Sequence, residues 1–255
     1  MRIFRRDEGQ GEPVVLVHGL GASHHAFDEL ISLGGARYLA VDLPGVGTSE
    51  AWAQSAPREI ASALSAHLTG LGISRYRLFG HSFGGLIALS MAAQQPSSVV
   101  RLVVANAPGL GLSADTKAFL QHPMFARTAS WLGGASLPMP KPLVRAYLAW
   151  LWGDARPVTE RAVEQSIENA KSPRFMPSMF DSLRAIADYQ LPVAALREAP
   201  FEKHVLWGER DRLVSAIEGE RLAIAIGAKL RVLPRVGHCL PEEAPHEVRQ
   251  ALGLE

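Results

Sequence analysis

The stretch YRLFGHSFGG, residues 76–85, decides the fold of this chain of 255 residues. Tyr76 to Phe79 form an apolar run that predicts a strand, and a helical pattern follows from Phe83 to Gln95. Between them stands Gly80-His81-Ser82-Phe83-Gly84, a G-x-S-x-G pentapeptide. Its glycines let a strand turn sharply into a helix, with Ser82 held at the tip in a strained conformation. The alternative is a glycine-rich turn with an incidental serine, but the context favours a nucleophile elbow.

Five further short apolar runs predict strands that are buried on both faces, as in a parallel sheet. They are Val14–Val17, Tyr38–Val41, Leu102–Val104, His204–Trp207 and Leu230–Leu233. Helical patterns lie between them, and the one from Pro57 to Leu71 places Ile60, Leu64 and Leu68 on one face. Alternating strands and helices predict right-handed crossovers, and hence an α/β fold with a doubly wound, mostly parallel sheet.

The alternation breaks between residues 109 and 188, where no run of residues is convincing as a strand. Helical patterns there cover Asp115–Gln121, Leu143–Trp152, Thr159–Ala170 and Met179–Ala187. A loop of this length without its own secondary structure is uncommon in a compact domain. We therefore predict a helical cap, residues 109–188, inserted into a core formed by residues 1–108 and 189–255.

The composition is that of an ordinary globular protein and gives no indication of a nucleic-acid partner. The chain is 47% hydrophobic and 20% charged, with a net charge of +1. Its single cysteine, Cys239, excludes an internal disulfide. No apolar run reaches the length of a membrane span, and the first residues lack the apolar segment of a signal peptide. We expect a cytoplasmic protein whose oligomeric state the sequence leaves open.

Four other motifs follow predicted strands. They are HGLG at 18–21, DLPGVGTS at 42–49, WGERDRLV at 207–214 and VGHCLPE at 236–242. Together with the pentapeptide, and in this order, they resemble the motifs of the α/β-hydrolase superfamily. The resemblance implies the α/β-hydrolase fold and a Ser–acid–His triad.

By this resemblance Ser82 is the nucleophile, His238 the general base and Asp211 the acid that orients the histidine. Glu209 is the nearby competitor for the acid, although the motif favours Asp211. Asp42 precedes the serine in the chain, whereas the family's order places the acid after it. We interpret Asp42 as a residue that orders its loop.

Some relatives carry the acid after the preceding strand, but Asn106 stands near that position here and is no carboxylate. The resemblance also assigns the oxyanion hole to the backbone N–H groups of Leu20 and Phe83. His18 is interpreted as a brace of its loop. His24 and His25 lie near Asp28 without an apparent third ligand. We therefore expect neither a metal nor an organic cofactor.

The resemblance implies hydrolysis of a small-molecule ester or thioester. Large apolar side chains in the predicted cap suggest an apolar acyl part, although they are equally suited to hold the cap together. They are Phe119, Met124, Phe125, Trp131, Met139, Tyr147, Trp150, Trp152, Phe175, Met176, Met179 and Phe180.

Three alternatives to an esterase are compatible with the fold. Carbon–carbon bond hydrolases of this family resemble the chain but typically have Asn where His81 stands. Haloalkane dehalogenases and epoxide hydrolases use an aspartate nucleophile, which Ser82 argues against. A non-catalytic binding protein of this fold usually lacks a triad member, and all three candidates are present here. Fold resemblance alone does not choose among these chemistries.

Overall fold

The computed structural model describes residues 3–47, 49–50, 56–110, 118, 122, 140–172 and 174–254. These residues form one sheet of seven strands in the order β1-β3-β2-β4-β5-β6-β7. The strands are β1 (Arg5–Glu8), β2 (Pro13–Val17), β3 (Arg37–Val41), β4 (Tyr76–His81), β5 (Val99–Ala105), β6 (Glu202–Gly208) and β7 (Lys229–Leu233). Only β1 is antiparallel to its neighbour, and the remaining pairs are parallel. The predicted α/β fold with a doubly wound, mostly parallel sheet is confirmed.

Burial of the central strands explains why their sequences are continuously apolar. In β2, Val15 and Val17 point into the core on one face of the sheet, and Val14 and Leu16 into the core on the other. All four side chains are fully buried. A strand covered on both faces leaves no position for a polar residue, which is the pattern that the sequence shows.

Ten α-helices are defined among the described residues. They are α1 (Asp28–Ser32), α2 (Pro57–Gly70), α3 (Phe83–Gln94), α4 (Lys141–Leu151), α5 (Glu160–Ala170), α6 (Phe175–Ala187), α7 (Val193–Glu198), α8 (Ala216–Ile226), α9 (Leu240–Glu243) and α10 (Pro245–Ala251). In α2 the predicted stripe of Ile60, Leu64 and Leu68 is buried. Within the described ranges, no helix has both the length and the apolar character needed to cross a membrane.

The strand β1 was not predicted from the sequence, because its four residues, RRDE, are all charged and carry no apolar pattern. Near the other end of the chain, α9 and α10 are two separate helices. They are separate because Ala244 has φ −140° and ψ 54°. A residue that precedes a proline is disfavoured in the helical region, and Pro245 follows Ala244.

Helices α4, α5 and α6 all lie in the stretch predicted as a cap, and the described residues of that stretch contain no strand. The α4 and α5 predictions are matched to within two residues, and α6 begins four residues before the predicted Met179. The helix expected at Asp115–Gln121 lies outside the described residues, apart from single positions. The cap boundaries, residues 109 and 188, therefore stay a prediction.

One polar face of α5 contacts the core. Arg161 forms an ion pair with Asp28, and Gln165 Nε2 donates to the same carboxylate at 3.1 Å. One turn further, Asn169 Nδ2 donates to the carbonyl oxygen of Gly21 at 3.3 Å. Because the three donors are spaced four residues apart, they share one side of the helix. This face of the helix therefore contacts the core through hydrogen bonds and charge.

The first turn of α3 lies directly against the backbone of β2 and of the turn that follows it. A Cβ atom at Gly84 would overlap the carbonyl oxygens of Val17 and His18. These are backbone atoms at the end of a central strand, so they cannot move aside. Only glycine permits this approach, and the approach determines where the helix begins relative to the sheet.

Replacement of Gly84 by alanine should therefore destabilise the protein even though alanine favours helices. We expect Gly84→Ala to lower the free energy of unfolding by about 1–3 kcal/mol or more, since overpacking forces backbone shifts. Gly70, at the end of α2, is the matched control because a Cβ there meets no atom within 4 Å. Gly70→Ala should raise stability by about 0.4–1 kcal/mol. Urea unfolding of both variants measures the difference, and equal effects would contradict this account.

Candidate active site

Ser82 occupies a single-residue turn between β4 and α3. Its φ of 52° and ψ of −120° are unfavourable for a residue with a side chain and cost on the order of 1–3 kcal/mol. Two backbone hydrogen bonds hold the turn: the Ser82 N–H donates to the carbonyl of Ala105 at 2.8 Å, and its carbonyl accepts from Gly85 N–H at 2.9 Å. The first bond ties the serine to the neighbouring strand β5. The conformation is thus that of the predicted elbow.

His238 lies on the loop after β7, between the two side chains predicted to act with it. Its Nε2 is 3.0 Å from Ser82 Oγ, and its Nδ1 is 2.8 Å from Asp211 Oδ2. Because a carboxylate only accepts, Nδ1 carries the proton and Nε2 is free to accept one from the hydroxyl. The three residues are 156 and 27 positions apart in sequence, and the sheet topology brings them together.

Asp211 is held in a turn after β6, and its side chain is completely buried. Its Oδ1 accepts from the backbone N–H groups of Leu213 at 2.8 Å and Val214 at 2.9 Å. The second oxygen accepts from His238, so both carboxylate oxygens have partners. A buried carboxylate needs such bonds to remain charged, and here they also fix its direction.

The two other candidate acids point elsewhere. Asp42 is buried, and its Oδ1 accepts from the backbone N–H of His24 at 2.8 Å and from His24 Nδ1 at 2.9 Å. Glu209 accepts from the backbone N–H of Arg235 at 3.2 Å. Of the three carboxylates, only that of Asp211 contacts the His238 ring.

The turn that carries Leu20 lies against the elbow. A Cβ atom at Gly19 would be 3.0 Å from Ser82 Cβ, so the two loops are in close contact. Leu20 and Phe83, whose amides are the predicted oxyanion donors, line a common cavity of about 50 Å³. Their role as donors remains a prediction.

His18 contacts the same loops. Its Nδ1 donates to the carbonyl of Gly19 at 2.8 Å, and its Nε2 accepts from the backbone N–H of Leu43 at 3.0 Å. Burial lowers the pKa of His18, which keeps the ring neutral as these two bonds require. These are the contacts of a residue that braces its loop.

The cavity beside Leu20 and Phe83 is mostly apolar. Its other described lining residues are His18, Gly19, Gly21, Leu43, Pro44, Val46, Ile60, Phe175, Ser178, Met179, Asp181 and Ser182. Two of the cap residues named from the sequence, Phe175 and Met179, are among them. Trp152 instead packs with α4, α5 and Cys239, which is the structural role weighed as the alternative. Phe119, Met124, Phe125, Trp131 and Met139 lie outside the described residues.

Two features noted in the sequence have local structural partners. His24 pairs with Asp42, and His25 Nδ1 lies 3.1 Å from Asp28 Oδ2. Among the described residues, no group of three or more His, Cys, Asp or Glu side chains could hold a metal ion. Cys239 is buried, and burial raises the pKa of its thiol well above the ordinary value. This thiol therefore stays protonated at neutral pH.

Sequence reasoning missed several residues that hold the His238 loop. The N–H of His238 donates to the carbonyl of Leu151, at the end of α4, at 2.8 Å. The N–H of Gly237 donates to the Glu243 carboxylate at 3.0 Å, and the same carboxylate accepts from Gly153 N–H at 2.8 Å. The glutamate could have been noticed, because it lies five residues after the predicted histidine. The role of the Leu151 carbonyl could not have been noticed, because every residue has a backbone carbonyl.

His81, next to the predicted nucleophile, is a buried neutral histidine. Its Nε2 donates to the backbone carbonyl of His238 at 2.7 Å, and its Nδ1 is buried without a partner among the described residues. Burial, together with the nearby His238, lowers the pKa of His81 to about 3. The site thus combines one histidine paired with a carboxylate and another that is held neutral.

These strand-end loops and the elbow define the class of protein, an α/β hydrolase with a serine at the elbow. A family model described as the alpha/beta hydrolase family matches residues 14–251. The chain belongs to this family.

Among curated relatives, the chain is 27% identical over 252 residues to the 2-hydroxy-6-oxo-6-phenylhexa-2,4-dienoate hydrolase of Burkholderia cepacia, which covers 93% of this chain and 85% of that protein. It is 26% identical over 258 residues to the dihydrolipoyllysine-residue acetyltransferase component of an acetoin cleaving system from Pseudomonas putida. That match covers 99% of this chain, which spans only 65% of the length of the relative.

Among solved structures, a thermophilic esterase from Thermogutta terrifontis, bound to malate, superposes with a TM-score of 0.78. The match covers 98% of this chain and 91% of the esterase, at 22% sequence identity. At this identity the similarity shows a common fold and leaves the substrate open.

The lowered pKa of His81 should make stability depend on pH. Between pH 6.5, its ordinary pKa, and about 3, the unfolded chain binds this proton and the folded chain does not. Stability is therefore lost as the pH falls through this window, by up to about 1.4 kcal/mol per pH unit. His81→Gln should reduce that slope by the contribution of one proton, as measured by urea unfolding between pH 4 and 7.

The exposed His246 provides the control, since His246→Gln also removes one imidazole. We expect the His246→Gln protein to keep the wild-type slope. A His81→Gln protein with an unchanged slope would contradict the lowered pKa, because it would mean that the folded and the unfolded chain bind this proton equally well.

Proposed function

We propose that this chain is a serine hydrolase that cleaves a carboxylic ester or thioester with a substantial apolar acyl part. The observation that carries the proposal is the hydrogen-bonded series from Ser82 Oγ to His238 to Asp211, with distances of 3.0 and 2.8 Å. A hydroxyl is a weak nucleophile until a base takes its proton, and this geometry supplies the base.

In the proposed mechanism Ser82 Oγ attacks the carbonyl carbon while His238 Nε2 takes its proton. Asp211 holds the imidazole in the required tautomer and stabilises the imidazolium that forms. The imidazolium then gives its proton to the leaving alcohol or thiol, which leaves an acyl-serine. Water, activated by the same histidine, releases the acid. Water is the only co-reactant that this sequence of steps requires.

The backbone N–H groups of Leu20 and Phe83 are the proposed oxyanion donors. The position of both residues supports this role, because they line one cavity beside the elbow and Gly19 packs against Ser82. Each such donor contributes on the order of 3–4 kcal/mol to transition-state stabilisation, because it meets charge that develops only during the reaction.

The charge of the described cavity lining supports an uncharged acyl group. Asp181 is its acidic residue, and its basic residue, His18, is kept neutral by burial. The described lining contains no Lys or Arg. The described lining therefore offers an anionic substrate no charged group of opposite sign.

Carbon–carbon bond hydrolysis is the second candidate, because the Burkholderia cepacia relative is named as the hydrolase of a dienoate that carries a ketone and no ester. The name of its substrate, a dienoate, denotes a carboxylate, which the described lining here does not favour. His81 also stands where the carbon–carbon hydrolases resembling this chain typically have Asn. Both observations favour the ester.

The primary test is hydrolysis of 4-nitrophenyl esters of increasing acyl length. We expect the wild-type protein to prefer acyl chains of about four or more carbons over acetate, since the lining is mostly apolar. Ser82→Ala should lower kcat on the order of 10⁴-fold or more. The exposed Ser62 gives the matched control, and Ser62→Ala should retain wild-type kcat. A wild-type protein inert on every ester and thioester would refute the proposal.

A second test separates neutral from anionic acyl groups. We compare 4-nitrophenyl valerate with 4-nitrophenyl hydrogen glutarate, which has the same chain length and a terminal carboxylate. The neutral ester should have a kcat/KM at least about tenfold higher, equivalent to about 1.4 kcal/mol. A preference for the glutarate, together with turnover of the dienoate substrate of the relative, would favour the carbon–carbon hydrolase instead.

A further inference from the structure

Two side chains from neighbouring strand ends hold the backbone carbonyl of His238. Asn106 Nδ2 lies 2.8 Å from this oxygen, and His81 Nε2 lies 2.7 Å from it. The backbone N–H of Leu240 donates to the same oxygen at 2.9 Å, so three donors surround it. Asn106 is fully buried, and His81 and His238 are each 6% exposed. Water therefore does not compete for these bonds.

The amide of Asn106 connects more than one loop. Its Nδ2 also donates to the carbonyl of Gly237 at 2.9 Å, and its Oδ1 accepts from the backbone N–H of Gly208 at 2.9 Å. Gly208 ends β6 and lies three residues before Asp211. One side chain thus joins the His238 loop to the strand end that carries the predicted acid.

An amide is required at this position. Its two donors face two carbonyl oxygens, whereas an aspartate would place an acceptor-only carboxylate against them. Asn106 also has φ 50°, a conformation that Asn and Asp adopt more readily than most residues. The backbone conformation alone would permit either Asn or Asp at this position. The hydrogen bonds to the two carbonyl oxygens are what require Asn.

We propose that Asn106 and His81 are positioning residues that fix the imidazole of His238 between Ser82 and Asp211. The proposal rests on the proposed serine-hydrolase function. The carbonyl that the two residues hold belongs to the residue that carries the imidazole, so a shift of this carbonyl moves the ring. The contacts of 3.0 and 2.8 Å leave little tolerance. A misplacement of about 1 Å lowers rates by about 10²-fold.

The test measures how fast a fluorophosphonate labels Ser82. In this reaction Ser82 Oγ forms a bond to phosphorus, fluoride leaves and His238 takes the hydroxyl proton, so the rate reports the placement of the imidazole. Asn106→Asp keeps the size of the side chain and removes its donors. Asn106→Gly keeps the backbone conformation without an amide. We expect both variants to react at least about tenfold more slowly than wild type.

Two further variants test the hydrogen bond from His81. His81→Gln returns an N–H donor close to the position of Nε2, whereas His81→Phe retains a ring without a donor. We expect His81→Gln to label within about threefold of wild type, and His81→Phe to be at least about tenfold slower. The steady-state loss should appear in kcat, with KM little changed, because substrate contacts are not altered.

The control removes an amide-to-carbonyl hydrogen bond far from the site. Gln94 Nε2 donates to the carbonyl of Arg58 at 3.0 Å on an exposed surface. Gln94→Ala should label at the wild-type rate. If the Asn106 variants fail to fold, the comparison of His81→Gln with His81→Phe carries the test.

The outcomes are distinguishable. Folded Asn106 and His81 variants that label at the wild-type rate, with only a lower Tm, would overturn the positioning role and leave the serine-hydrolase proposal standing. A wild-type protein that is not labelled at Ser82 would overturn the nucleophile itself. Slow labelling of Asn106→Asp and His81→Phe, with normal labelling of His81→Gln and Gln94→Ala, would support the proposal.

Discussion

The parallel arrangement of β2, β4, β5, β6 and β7 is the constraint on which the site depends. Parallel strands end at the same edge of a sheet, so the loops that follow them must meet there. The turn of Leu20, the elbow of Ser82, the turn of Asp211 and the loop of His238 all leave this edge. The sheet topology therefore brings residues that are far apart in sequence to hydrogen-bonding distance.

Burial separates the histidines at this edge into two kinds. His18 and His81 are both kept neutral, and those of their ring nitrogens that form hydrogen bonds contact backbone atoms. Each carboxylate oxygen of Asp211 has at least one hydrogen-bond donor. His238 is thus the histidine of the strand-end loops with a carboxylate on one side and a hydroxyl on the other. The environment, more than the residue type, distinguishes it from its neighbours.

Much of this arrangement could be predicted from the sequence, for physical reasons that also explain the failures. Strands buried on both faces carry apolar residues, so the buried parts of β2 to β6 were visible as apolar runs. The run at Leu230–Leu233 also marked a strand, but the prediction that it is buried on both faces was wrong, because β7 is an edge strand with mostly exposed side chains. The charged edge strand β1 has no such requirement and was missed. The hydrogen bonds from Asn106 to Gly237 and His238 span 131 and 132 residues and end on backbone oxygens. A side chain that binds a backbone atom does not require any particular residue type at the position it binds. The sequence therefore contains no pattern from which such a hydrogen bond could be predicted.

The hydrogen bond between the N–H of His238 and the carbonyl of Leu151 links the length of α4 to the position of the histidine loop. Because the acceptor is a backbone atom, the side chains of α4 can change without loss of this bond as long as the helix ends at the same point. An insertion or deletion of one residue within α4 would instead rotate its last carbonyl by about 100° and remove the acceptor from His238. The helix can therefore vary in its side chains far more freely than in its length.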